Sequence, residues 1–165
     1  MKRFHGTIDV RLFRPTDASS LAVIVAAIVE SSLRRVYGER YAARILTRLS
    51  AAGIVERAVE RDVYVAEYQG RIVATGSLSG DWVDGVFVAP SLQRRGIGRR
   101  LMTVLEEEAR RAGTTRLRLN ASLEAELFYR RLGWQGRRRV RVGAGLAVRM
   151  SKPLSAERAR IDQAG

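Results

Sequence analysis

The sequence predicts an α/β (α+β) fold, a mixed and mostly antiparallel central sheet with helices on both faces. Three observations carry this. The hydrophobic pattern switches along the chain between strict alternation and recurrence every three to four residues. Strand–helix–strand units in the second half require some parallel pairing. Tight turns between the other strands require antiparallel pairing, and helices must then cover both sheet faces. A length of 165 residues suits one domain with a full core. That domain is expected over residues 1–153, with residues 154–165 as a tail.

The elements follow in order. Residues 10–14 alternate and stop at Pro15, which marks a strand. Asp17 stands where it can cap the next helix. Leu21, Ile24, Val25, Ile28, Val29 and Leu33 recur at helical spacing, and residues 34–38 break that helix. A second helix is expected over 39–50, interrupted at Gly53, with a further turn or two over 54–59. Strands at 63–68 and 71–79 are joined by Gln69-Gly70, a hairpin signal. A third strand, 84–88, closes at Pro90. A helix over 98–112 ends at Gly113. Residues 116–120 alternate strictly and form a strand with one buried face. A short helix over 124–132 ends at Gly133, and strands at 134–142 and 145–151 flank Gly143-Ala144.

Composition excludes several chemistries. The chain has no cysteine and one histidine, His5. This removes a disulfide framework, a cysteine nucleophile and a thiolate or multi-histidine metal site, so no metal is expected. No apolar run approaches the ~18 residues of a membrane span, and the N-terminus lacks a secretory signal pattern. A cytoplasmic protein without a membrane partner is expected. The net charge is +13, and 28 of the 30 basic residues are arginine. Residues 1–93 are nearly neutral at +2, whereas residues 94–149 carry +10. An anionic partner is therefore expected on the second half.

The most informative segment runs from Val86-Phe87-Val88-Ala89-Pro90 through Gln93-Arg94-Arg95-Gly96-Ile97-Gly98-Arg99-Arg100 into a helix. Two glycines between a strand and a helix expose consecutive backbone N–H groups at a helix start, an arrangement that binds phosphate. The four arginines add positive charge. The lysine and hydroxyl residue of a nucleoside-triphosphate loop are missing, and so is the third glycine of a dinucleotide fingerprint.

This segment resembles the acyl-CoA-binding motif of the GNAT superfamily of N-acetyltransferases. A second segment agrees: Asn120-Ala121-Ser122 leads into Glu124 and then Phe128-Tyr129-Arg130-Arg131-Leu132-Gly133-Trp134. The resemblance spans roughly 8–153 and implies the acyl-CoA N-acyltransferase fold. It implies acetyl-CoA or coenzyme A as cofactor and direct acetyl transfer to a primary amine. The pantetheine arm is then expected along the backbone of Val86, Phe87 and Val88. The pyrophosphate is expected over Gln93, Arg94, Arg95, Gly96, Ile97, Gly98 and Arg99. Many relatives carry an asparagine where this chain has Ser122; Asn120 lies two residues earlier. Tyr129 matches the family tyrosine placed near the thioester sulfur. A homodimer is a common state in the family.

Direct transfer needs a polarised carbonyl, a neutral amine, a route for its proton and a stabilised thiolate. Tyr129 is the expected donor to the thiolate. A bulge near Gly85 would free a strand N–H for the carbonyl. Asp84 is the expected base, on the reading that it shares a face with Val86 and Val88. Glu30, Trp82 and Asp84 are expected to contact the acceptor, with Tyr37, Tyr41 and Tyr68 as further lining candidates. Because Glu30, Asp81 and Asp84 lie in the near-neutral half, they are expected to face a cation. The expected acceptor is a small-molecule amine or a protein amino terminus without a phosphate or acidic tail. Two competing readings remain. One is a coenzyme A-binding sensor or scaffold without turnover. The other is a nucleic-acid module using Arg110-Arg111, Arg130-Arg131 and Arg137 to Arg141, although no recognition motif supports it.

Overall fold

The structure is a computed structural model that describes residues 6–154. Most of the expected tail lies outside the described residues, but its first residue, Leu154, is buried and its N–H bonds to the Thr115 carbonyl. The strands are β1 (Ile8–Leu12), β2 (Asp62–Tyr68), β3 (Arg71–Ser79), β4 (Trp82–Val88), β5 (Arg116–Ser122), β6 (Gln135–Val142) and β7 (Gly145–Pro153). They form a seven-stranded sheet in the order β1-β2-β3-β4-β5-β7-β6. Every neighbouring pair is antiparallel except β4–β5.

One long helical stretch follows β1. It enters through a short turn at Pro15–Asp17, continues as α1 (Ala18–Ile28), widens into a π-helical turn at Val29–Leu33 and resumes as α2 (Arg34–Tyr37). The expected break at residues 34–38 is thus confined to Gly38. The sequence stripe gives no warning of the π turn, because Leu33 still falls four residues after Val29. Pro15–Tyr37, 23 residues long, is also long and apolar enough, by length and composition, to cross a membrane, with an 18-residue window of mean hydropathy 1.4. That departs from the expectation of no such segment, because Glu30 interrupts the apolar run without lowering its average enough. Here the helix buries Leu21, Ile24, Val25, Ile28 and Val29 in the core.

Asp17 does not cap α1 with its side chain. It accepts the Arg14 N–H at 2.8 Å and two bonds from Arg11, so it ties the helix entrance to β1. The next helices, α3 (Glu39–Arg48) and α4 (Ala51–Glu60), divide at Ser50, whose hydroxyl accepts the Gly53 N–H at 3.2 Å. Gly53 therefore lies inside α4 and is not the break, because the serine cap three residues earlier starts the helix.

Two layers flank the sheet. On one face α5 (Ile97–Arg111) inserts Ile97, Leu101, Met102 and Leu105 among Leu117, Leu119, Ala121, Met150 and Trp134. The short α6 (Glu126–Arg131) adds Tyr129 to the same cluster. On the other face α1 and α4 pack Leu21, Ile24, Ile28 and Ile54 against Val65. Glu106 is buried on α5, and both of its oxygens have donors, Trp134 Nε1 at 3.1 Å and Lys152 Nζ at 2.6 Å. A buried carboxylate satisfied in this way locks α5 to β7 and to the loop before β6. These layers leave β4 and β5 at the centre of the sheet, where the only parallel pair among the described residues forms.

Candidate active site

The central feature is where β4 and β5 part. They pair at a single position, Trp82 with Arg118, and the Arg118 N–H donates to the Asp81 carbonyl at 2.8 Å. Beyond that point no register joins them, which leaves a gap in the pairing between residues 86–88 and 120–122. On its other side β4 carries a bulge. Thr75 faces Phe87 and Ser77 faces Asp84, so Gly85 and Val86 together oppose Gly76. Gly85 holds φ at +62°, a left-handed backbone that few side chains tolerate. The expected irregularity at Gly85 is present, and it re-aims the strand.

The bulge changes which side chains share a face. Val86 and Val88 pack toward α5, whereas Phe87 packs toward α1. Trp82 and Asp84 lie two residues apart ahead of the bulge, so they share a face with each other. Asp84 meets Arg48, Arg57 and Arg61, on the α3–α4 side. The expectation that Asp84 shares the face of Val86 and Val88 is therefore corrected, because the extra residue inverts the alternation.

The turn after β4 supplies the phosphate-type site. Pro90–Leu92 forms one tight turn, and the exposed Gln93 donates its amide to the Val88 carbonyl at 3.2 Å. Arg94 and Gly96 both adopt positive φ, +62° and +85°. Such alternation points successive N–H groups to one side. A Cβ at Gly96 would meet nothing within 4 Å, so the space above the turn is open. Ile97 is fully buried and pins the helix start, so only its backbone can serve a ligand. Gly98 allows close packing, since a Cβ there would stand 3.1 Å from the Phe128 ring. No side chain caps α5, so its first N–H groups remain available to an anion. Arg94, Arg95, Arg99 and Arg100 are exposed around it.

Tyr129 lies on the other arm of the gap. Its ring meets Phe128 and Trp134 edge-on, with centroids at 5.0 and 5.9 Å. Its hydroxyl makes no hydrogen bond among the described residues. Burial first, and the Asp84 charge second, push that hydroxyl well above the ordinary tyrosine range. It therefore stays protonated at neutral pH. The Asp84 charge also raises Tyr41, after burial. The Asp84 charge thus reaches both Tyr41 and Tyr129.

The other candidate residues are placed as follows. The Ser122 hydroxyl accepts the Ala125 N–H at 3.2 Å and so supports the turn into α6. Asn120 accepts Arg149 Nε at 2.7 Å. Trp82 is the first residue of β4, which begins two residues ahead of the expected strand, and the Arg149 and Arg118 guanidiniums lie 4.9 and 5.7 Å from its ring centre. The Tyr37 and Tyr41 rings meet at a 45° tilt with centroids 5.0 Å apart, and the Tyr37 carbonyl accepts the Ala144 N–H, which latches the β6–β7 turn to α2. Tyr68 is paired with Arg71, at the opposite end of β3 from Trp82, so the fold keeps it away from the gap.

The three carboxylates expected to face a cation are all taken by arginine. Glu30 sits exposed in the π turn and pairs with Arg34 at 2.6 Å. Asp81 pairs with Arg118 at 2.7 Å. Asp84 Oδ2 accepts from Arg48 at 3.2 Å, Arg57 at 3.3 Å and Arg61 at 3.4 Å. Its Oδ1 accepts the Gly85 N–H at 2.8 Å. Both oxygens are engaged before any amine arrives. No sequence signal marks Arg48, Arg57, Arg61 and Arg149, because they come from separate elements and only the folded chain brings them to one face.

The comparisons with known proteins agree with this geometry. A family model described as an acetyltransferase (GNAT) domain matches residues 34–154. A solved GCN5-related N-acetyltransferase from Rhodopseudomonas palustris is 27% identical, with a TM-score of 0.79 over 90% of this chain and 96% of the other. The PaiA N-acetyltransferase from Thermoplasma acidophilum, solved in complex with coenzyme A, is 16% identical; the match covers 89% of this chain and 99% of that one, with a TM-score of 0.75. YncA from Salmonella typhimurium, solved with its cofactor acetyl-CoA, is 22% identical over 90% and 95% of the two chains, with a TM-score of 0.69. No curated protein matches the sequence. A mixed sheet split between its parallel central strands, with an uncapped helix start beside the split, defines the acyl-CoA N-acyltransferase fold. The chain belongs to the GNAT acetyltransferase family.

Proposed function

We propose that the protein is an N-acetyltransferase that moves an acetyl group from acetyl-CoA to a primary amine by direct transfer. The observation that carries this is the pairing of an uncapped α5 start with the parted ends of β4 and β5. Together they present unpaired backbone groups along a path that suits an extended arm ending in a diphosphate. Relatives of the same fold are solved with coenzyme A and with acetyl-CoA. Bound acetyl-CoA would supply an activated thioester, the chemistry that a primary amine can attack.

The chain's own groups account for the remaining requirements. The turn at 94–99 and the first N–H groups of α5 hold the diphosphate, with Gln93 fixing the turn to β4. The backbone of Val86, Phe87 and Val88 orients the arm and offers an N–H to the carbonyl. As the amine nitrogen forms the amide bond and the C–S bond breaks, Tyr129 donates its proton to the departing thiolate sulfur, and the proton that the nitrogen sheds restores the tyrosine hydroxyl. Ser122 and Asn120 hold the β5 arm, since their polar atoms are engaged with Ala125 and Arg149. Asp84, with both oxygens occupied, acts chiefly by holding three arginines and the bulge in place. Those guanidiniums favour the neutral form of an approaching amine, because positive charge disfavours a second cation nearby. A cytoplasmic site of action belongs to the same reading.

Thiol release from acetyl-CoA, measured against a panel of primary amines, tests this proposal. Amine-dependent release with a matching N-acetyl product is expected. Tight coenzyme A binding without turnover of any amine would instead indicate a sensor.

A further inference from the structure

We propose that the acceptor amine carries its own anionic group, a carboxylate or a phosphate, held by the arginines around Trp82 and Asp84. This rests on the acetyl-transfer reading and reverses the charge expected of the acceptor from sequence.

Five guanidiniums reach this face from α3, α4, the loop after it, β5 and β7: Arg48, Arg57, Arg61, Arg118 and Arg149. Among the described residues only two carboxylates, Asp81 and Asp84, are paired with them. The three arginines on Asp84 converge on one oxygen, so one negative charge answers three positive ones. Arg149 lies over the Trp82 ring with Nε on the neutral Asn120, and it pairs with no carboxylate among the described residues. A cation on an indole face is held by the ring quadrupole, not by a counter-charge, and remains able to bind an anion. The cluster is also under mutual repulsion. Burial first, and then Arg48, lower the pKa of Arg57.

Guanidiniums in a fixed array match carboxylate and phosphate oxygens. A cationic acceptor finds no unengaged carboxylate here, since Glu30, Asp81 and Asp84 are all held. An acceptor bearing an anion would relieve the unpaired charge and leave its amine beside the gap. The coenzyme's phosphates do not explain these arginines, because the α5 start has its own set at residues 94–100.

The test uses matched acceptors with acetyl-CoA: β-alanine against β-alaninamide, phosphoethanolamine against ethanolamine, and 1,3-diaminopropane as the cationic case. At least a tenfold higher kcat/KM is expected for the member that bears the carboxylate or phosphate over the partner that lacks it, falling as salt is added. The two pairs separate carboxylate from phosphate. Arg48→Gln and Arg149→Gln should each reduce the preference at least threefold, and in Arg48→Gln, whose side chain pairs with Asp84 alone among the described residues, the affinity for coenzyme A should stay within twofold. Equal or better use of the acceptors without a carboxylate or phosphate would overturn the proposal, as would a preference untouched by both variants. Calorimetry of the same pairs with coenzyme A present reads acceptor binding without turnover. Anion-selective binding there supports the charge assignment even if acetyl transfer fails, and unselective or absent binding overturns it.

Discussion

The two sides of the β4–β5 gap are built in different ways. The cofactor side is one continuous stretch, from Val86 to Arg100, in which strand, turn and helix start follow in sequence. The acceptor side is assembled from α2, α3, α4, the start of β4, β5 and the β6–β7 turn. A contiguous segment fixes its own backbone geometry, so its chemistry can be read from residue order. A convergent surface depends on packing, so its charge is invisible until the chain folds. Near-neutrality over residues 1–93 suggested a site open to cations. In three dimensions, arginines of that same half surround Asp84.

Tyr129 stands where the two sides meet and should give the largest effect. Tyr129→Phe removes the hydroxyl and keeps the ring against Phe128 and Trp134. Turnover should fall about 100-fold, on the order of general-acid contributions, with affinity for coenzyme A within twofold. Unchanged turnover in a variant limited by chemistry would make Tyr129 a packing residue. Because burial raises its pKa, the protonated form persists above the ordinary tyrosine value of 10.0. A pH profile of kcat should therefore show no loss assignable to Tyr129 between neutral pH and that value.

Next comes the junction between cofactor turn and core. Gly98→Val places atoms against Phe128 and Val88, where even a Cβ is crowded at 3.1 Å. Overpacking of this kind costs about 1–3 kcal/mol, and both melting temperature and coenzyme A affinity should drop. Affinity lost without any change in melting would show that Gly98 serves the ligand alone.

The smallest effect separates the acceptor side. Asp84→Asn leaves three arginines facing a neutral amide. The pairs are partly solvated, so about 1 kcal/mol of stability is expected to go. Coenzyme A binding should be untouched, and acceptor KM should change more than kcat. A fall in kcat alone, by a hundredfold or more, would return Asp84 to the role of general base.

Much of the fold was legible because strand alternation, the Gln69-Gly70 turn and the α5 stripe are local signals. The glycine turn was legible for the same reason. Three features were not. The π turn at Val29–Leu33 preserves the spacing of apolar residues. The Ser50 cap is one side-chain bond that Gly53 disguises as a helix break. The bulge at Gly85 was expected as an irregularity, but its consequence for Asp84 depends on pairing with Gly76, far away in sequence. The Glu30–Arg34 pair is hidden in the sequence because the π turn carries the helix through to Arg34, where the residue pattern marks a break.

The claim that the α5 start and its turn form the cofactor cradle is tested most directly by calorimetric titration of coenzyme A into the wild-type protein and Gly96→Ala. The position has open space, so the substitution acts only through the backbone angle of +85°. Affinity should weaken about tenfold, or ~1.4 kcal/mol, while the fold and its melting transition persist. Equal affinity in the two proteins would contradict the account.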